Sequence, residues 1–221
     1  MKTMHVVRQG EHLAGIAHQY GFADWQLIWN DPANAEVKAR RRNPNILYPG
    51  DRLEIPELHA KEYERPTEER HRFRLRSEPL QLRVRLHRLY GHAFAGNKCL
   101  WQEDSRRSNL TTGKTGELDQ SILNMTSQVS LTLEHTVNGS AGSVPIRYHL
   151  RLLAGHLDPI DTPSGQCARL LNLGYYQGPL EPGDPVLLAS AVEEFQCEHG
   201  LLVDGRCGPQ TQAKLKAVYG C

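Results

Sequence analysis

Aromatic residues are scarce, at 7% of 221 positions, and charge is nearly balanced: 26 lysines and arginines face 25 acids, for a formal net charge of +1. The first shortage removes the stacking platforms that single-stranded nucleic acid needs. The second removes any global field that would draw in nucleic acid or an anionic membrane. No apolar run approaches the roughly 20 residues needed to span a bilayer. The opening Met1-Lys2-Thr3-Met4-His5 also lacks the apolar stretch of a secretory leader, so the sequence predicts a soluble chain made in the cytoplasm.

Cysteine is equally sparing. Five are too few for a disulfide scaffold at this length, and odd in number. Four of them, Cys167, Cys197, Cys207 and Cys221, fall in the last quarter, which leaves local disulfides and buried reduced thiols equally open. None of them shows the short Cys-x2-4-Cys spacing of a closed zinc site, so neither metal nor cofactor is expected.

Three segments follow along the chain. In residues 4–57, a short apolar run at Val6-Val7 turns at Gln9-Gly10. Leu13, Ile16, Ala17 and Tyr20 then share one helical face, with Gly21 placed to end the helix. Asp24 can cap a second helix carrying Trp25, Leu27, Ile28 and Trp29. The charged stretch Ala35 to Arg42 reads as an insertion. Asn43-Pro44-Asn45-Ile46-Leu47-Tyr48-Pro49-Gly50 is dense in turn formers, and Arg52-Leu53-Glu54-Ile55-Pro56 alternates like a strand and stops at proline. The expected order is strand, helix, helix, strand.

That order, with Asn43-Pro44-Asn45-Ile46-Leu47 at the start and Gly50-x-x-Leu53-x-Ile55-Pro56 at the end, resembles the LysM family, whose pattern there is Asn-Pro-Asn-x-Ile and Gly-x-x-Leu-x-Ile-Pro. Glu11 and His12 depart from its usual Asp-Thr. The resemblance implies a shallow glycan groove made by Gly10, Glu11, His12 and Leu13 on one side and Asn45, Ile46, Leu47, Tyr48, Pro49 and Gly50 on the other. N-acetylglucosamine offers an amide and a methyl, which suit backbone donors beside an apolar floor from Ile46 or Leu47.

Residues 58–72 read as a charged, solvated linker. Residues 73–157 read as strands of a small antiparallel β-sandwich serving as a spacer. Leu80, Leu82, Val84 and Leu86 alternate with Gln81, Arg83, Arg85 and His87. Val129, Leu131 and Leu133 repeat the pattern, as do Ile146, Tyr148, Leu150 and Leu152 against Arg147, His149 and Arg151, each predicting one buried face. Turns are expected at Gly91, Gly96, Thr111 to Gly116 and Asn138-Gly139. The course is similar to carboxypeptidase regulatory-like and related immunoglobulin-type spacer domains. Arg72, Arg74, Arg76, Arg83, Arg85 and Arg88 form a basic stripe, read as the solvated face of a half-exposed sheet, with phosphates or an acidic partner as the other reading.

Residues 158–221 return to helical signals. Ser164 can cap a helix running through Leu170 and Leu171 to Gly174. Asp184-Pro185 opens a second with Leu188, Val192 and Phe195 on one face, and Gly208-Pro209 a third with Leu215 and Val218 inward. Leu170-Leu171-Asn172-Leu173-Gly174-Tyr175, Ala191-Val192-Glu193-Glu194-Phe195-Gln196 and Gly200 through Thr211 resemble the three-helix peptidoglycan-binding domain type one. The loop Gly178 to Pro185, with Glu181-Pro182-Gly183-Asp184, departs from the family's usual Asp-Gly-x-x-Gly turn. The fold expected overall is multidomain α+β: a βααβ LysM module, a β-sandwich and a C-terminal three-helix bundle.

No catalytic constellation accompanies these modules. There is neither His-Glu-x-x-His nor Gly-x-Ser-x-Gly, and no remaining segment is large enough to hold two carboxylates across a cleft. Cys197 and His199, two apart on a helix, point to different faces. His149 and His156 have only Asp158 nearby in sequence, which reads as a turn residue. The two resemblances imply a non-catalytic bacterial protein that binds peptidoglycan or a chitin-like glycan in the cell wall, reaching periplasm or wall by a non-classical route. The alternative they imply is an adaptor of a contractile injection system such as type VI secretion, docking a secreted effector or spike protein. Nucleic acid and membrane are not expected partners.

Overall fold

The computed structural model describes residues 3–59, 64–72, 79–88, 92–140, 142–180 and 183–221. Arg74, Arg76, Gly91, Glu181 and Pro182 of the readings above lie outside the described residues. The chain is mixed α and β and divides into two compact units: Met1–Asn45 with Pro49–Gly155, and Ile46–Tyr48 with His156–Cys221. Among the described residues no helix is long and apolar enough to cross a membrane.

The first unit opens with β1 (Thr3–Val6), α1 (Leu13–Gln19), α2 (Gln26–Trp29), a 3-10 turn at Pro32–Asn34, α3 (Ala35–Arg41) and β2 (Arg52–Ile55). β1 and β2 pair antiparallel, Thr3 opposite Ile55 and Val6 opposite Arg52. Leu13, Ile16 and Ala17 are buried as their spacing predicts. Asp24 accepts from Gln26 N–H at 2.8 Å, closing the α2 start as expected. Asn34 ties helix to strand: its amide donates to Ile28 O and Glu54 O, and its oxygen accepts from Glu54 N–H at 2.8 Å.

The stretch read as an insertion, Ala35 to Arg42, is instead a helix, α3, ended by Arg42 at φ 61°. Val37 is its one buried side chain, too little periodicity to mark it. Its placement comes from Arg41, whose guanidinium grips the buried Asp51 carboxylate through two bonds of 2.7 and 2.8 Å.

The rest of the first unit is antiparallel sheet. β3 (Leu80–Arg85) pairs with β6 (Glu117–Ile122). β4 (Lys98–Glu103), β5 (Arg106–Thr111), β7 (Gln128–Gly139) and β8 (Gly142–Leu153) form a second sheet in the order β5-β4-β7-β8. Both sheets contribute to one core, Leu118 and Ile122 from β6 meeting Cys99, Trp101, Val129, Leu131 and Leu133. Burying each large apolar side chain there stabilises by roughly 1.5–3 kcal/mol. Glu103 lies inside this core and is satisfied, accepting from Leu123 N–H at 2.7 Å and from the Thr126 hydroxyl.

Two expectations need correction here. Asn138-Gly139 is not a turn: both residues pair within the hairpin, opposite Ser143 and Gly142. On the β8 face predicted to be buried Leu152 packs on the core, but Ile146, Tyr148 and Leu150 are each about 36–37% exposed, because among the described residues β8 is an edge strand paired to β7 alone. The described part of the basic stripe is solvated as read from the sequence: Arg83 and Arg85 lie on the exposed face of β3, opposite Asp119 and Glu117 of β6.

The second unit holds α4 (Pro163–Leu173), α5 (Pro185–Glu198) and α6 (Pro209–Tyr219), with Leu170, Val192, Phe195 and Leu215 in a common core. Each helix begins on a proline, whose missing N–H costs nothing at that position. The cap of α4 is Thr162, accepting from Gly165 N–H at 3.1 Å, and not Ser164, which donates to Asp158 at 2.6 Å. Asp184 caps α5 through Val186 N–H and Leu187 N–H, as predicted.

Candidate functional site

In the second unit the residues of the third-segment motifs converge on one loop. Gln196, on the inner face of α5, is 1% exposed. Its oxygen accepts from Asp204 N–H and Gly205 N–H at 3.0 and 3.1 Å. Its amide nitrogen lies 2.9–3.1 Å from Asp204 Oδ1, Arg206 O and Thr211 Oγ1. Asp204 Oδ1 also accepts from Arg206 N–H at 2.9 Å, and these bonds hold its carboxyl below the ordinary range. Gly205 at φ 68° supplies the left-handed step that lets both N–H groups face Gln196. The motif residues thus clamp the α5–α6 loop.

That loop forms one wall of a cavity of about 300 Å³, lined by Gln166 of α4, Pro185, Leu188 and Val192 of α5, and Gly205 and Cys207. The lining is mostly apolar, with the Gln166 amide donating to Ile160 O at 3.0 Å. Burial pushes the Cys207 thiol up to about 11, so it stays protonated and non-nucleophilic near neutral pH. The arrangement offers apolar contact and amide hydrogen bonding. Leu188 and Val192 were legible as one helical face. Gln166 carried no motif, and its part in the cavity is visible only in the folded unit.

Two buried side chains brace this unit. Arg169, 1% exposed, donates to Asp158 O, Gly165 O and Cys221 O at 2.7–3.0 Å, its guanidinium 5.7 Å from the Tyr219 ring centroid. The Tyr176 hydroxyl donates to Pro179 O and accepts from Asp184 N–H, spanning the loop that departs from the family turn. Cys167 and Cys221 are free thiols raised by burial, and Cys197 is a free, exposed thiol.

The residues predicted for the LysM groove occupy varied settings. The Leu13 N–H donates to Pro44 O at 3.1 Å, bringing the loop into α1 beside the turn-rich segment. Glu11 accepts from Arg8 N–H and sits 2.8 Å from His5 Nε2. His12 caps α1 by accepting from Gly15 N–H, and burial lowers its pKa. Leu13, Ile46 and Leu47 are buried, whereas Asn45, Tyr48 and Gly50 are exposed and Gly10 and Pro49 partly so. Gly155 packs so close to Gly10 that an added Cβ would lie 2.3 Å from its carbonyl oxygen. Among the described residues no group of three His, Cys, Asp or Glu could hold a metal ion.

Residues 168–215 match the family described as putative peptidoglycan binding domain. No curated protein matches the chain. No solved structure matches it either. The matched residues run from α4 to α6 and contain the whole Gln196 clamp, and the match supports peptidoglycan binding by this part of the chain.

Proposed function

We propose that this protein is a non-catalytic cell-wall protein that binds peptidoglycan through its second unit. The observation that carries the reading is the coincidence of the family match at 168–215 with the clamped loop and its apolar cavity. The N-terminal module, on its resemblance to LysM, adds a surface for N-acetylglucosamine-containing glycan. Two weak sites on one chain gain avidity on a shared polymer when the polymer can reach both.

The test is co-sedimentation of the full chain with purified, protein-free sacculi. Phe195→Ala opens the core of the second unit at a cost of roughly 3–5 kcal/mol, and Leu53→Ala disturbs the N-terminal module. Both residues are fully buried. The reading expects the first variant to stop pelleting and the second to pellet less. Unchanged pelleting of Phe195→Ala with its second unit demonstrably unfolded would sink it.

A second reading, that the N-terminal module docks a protein as part of an injection-system adaptor, is favoured by one observation. Ile46 and Leu47, the expected floor of a sugar groove, group with the second unit and are 9% and 3% exposed, which leaves little apolar floor for a sugar. Retained sacculus binding after Tyr48→Ala and Asn45→Ala together would favour docking over glycan contact at this module.

A further inference from the structure

Among the described residues β8 is a sheet edge: it runs for 12 residues and pairs with β7 as its one neighbouring strand, so one side of its ladder carries no strand. Along one face lie Val144, Ile146, Tyr148 and Leu150, 59%, 36%, 37% and 36% exposed. The pairings Leu133 to Tyr148 and Leu131 to Leu150 set them on the same face as the buried core of β7, so the apolar surface runs continuously from core to edge. The opposite face carries Arg147, His149 and Arg151, all exposed. Among the described residues Glu134 bridges Arg147 at 2.7 Å.

The edge therefore asks for an occupant with a particular alternation. A second copy supplies the wrong charge. The antiparallel register that would match the whole apolar stripe of two copies, Val144 opposite Leu150 and Ile146 opposite Tyr148, is centred on Arg147. It sets Arg147 of each copy directly against Arg147 of the other, and like charges so placed destabilise a pair. An acidic side chain at that position turns the repulsion into attraction. A cavity of about 570 Å³ adjoins the strand, lined by Asn97, Lys98, Glu134, His135, Ile146 and Arg147, and its two cations, Lys98 and Arg147, outnumber its one acid.

We propose that β8 is a docking edge that receives an extended segment of another protein, alternating apolar and acidic side chains, as a fifth strand of its sheet. Main-chain hydrogen bonds supply the affinity, and the alternation supplies the choice of partner. This inference stands apart from peptidoglycan binding, which rests on the second unit.

The test titrates the full chain into two fluorescently labelled ten-residue peptides, one alternating Val and Glu, the other alternating Val and Lys. The acidic peptide is expected to bind at least about tenfold more tightly than the basic one, with an advantage that shrinks as salt rises from roughly 0.05 to 0.5 M and screening lengths shorten. The double variant Arg147→Glu, Arg151→Glu changes only exposed side chains and should reverse the preference. Tyr148→Lys should weaken both peptides without unfolding the unit, as tryptophan emission would report. Equal binding of the two peptides, no binding of either, or no effect of the charge reversal overturns the proposal. So does sedimentation showing a stable dimer whose contacts protect β8 from hydrogen exchange.

Discussion

The side-chain amide of Gln196 and residue Asp204 face each other so closely that each serves the other. Gln196 Oε1 takes the Asp204 N–H at 3.0 Å, and Gln196 Nε2 reaches the Asp204 carboxylate at 2.9 Å. A helix residue thereby fixes a loop eight positions away, and the loop wall of the cavity depends on it. Replacing Gln196 with Leu leaves the N–H groups of Asp204 and Gly205 without their acceptor. The second unit should lose about 2–3 kcal/mol, read from urea unfolding by far-UV circular dichroism. An unchanged midpoint would show that water replaces the amide at no cost.

Arg169 is a buried cation whose described hydrogen bonds go to three carbonyls drawn from different parts of the second unit. Arg169→Lys retains the charge but not the fork, and a single ammonium cannot reach both sides. We expect a loss of about 1.5–3 kcal/mol in the same unfolding experiment, with Arg169→Met at least as damaging. Equal stability of the Lys variant would mean that charge alone suffices.

His12 gives the first unit a pH dependence of known sign. Burial lowers its pKa below 6.5, so at neutral pH folded and unfolded chains alike hold it neutral and its contribution is intact. As pH falls through 6.5 the unfolded chain takes up the proton first and stability drops, levelling off below the folded value. All three tryptophans, Trp25, Trp29 and Trp101, belong to the first unit, so their emission isolates this transition. His12→Asn keeps an acceptor for Gly15 N–H and should flatten the profile between pH 7 and 5 relative to the parent chain.

Thiol reactivity should separate the cysteines. Cys197 is exposed, whereas Cys99 and Cys167 are buried and Cys207 is raised to about 11. Brief alkylation at pH 7.5, mapped by mass spectrometry, should modify Cys197 first and leave Cys99, Cys167 and Cys207 slow until the chain is unfolded. Early modification of Cys207 would show that its burial is transient.

What the sequence made legible was local chemistry. Asp24 and Asp184 announced helix starts because a short acidic side chain can serve the free N–H groups of a first turn. The Gln196 to Thr211 motif was visible as a pattern, although its job as a clamp needed the fold to bring α5 against the loop. The β4–β5 hairpin stayed hidden because Glu103, a buried acid, interrupts the alternation that Cys99 and Trp101 begin, and only Thr126 and Leu123 N–H make that burial tolerable. The predicted groove residues were the least legible. Whether Ile46 or Leu47 faces solvent depends on long-range packing, and no pattern of six residues encodes that.

The arginines on β8 also govern how the protein behaves at high concentration. A twelve-residue edge with one apolar face invites aggregation, and Arg147 and Arg151 on its other face oppose the pairing of copies by repulsion. That protection works only while water carries the field. Concentrated salt screens it within a few ångströms, so the usual remedy for a sticky protein would here promote clumping, and dilute buffer would preserve solubility.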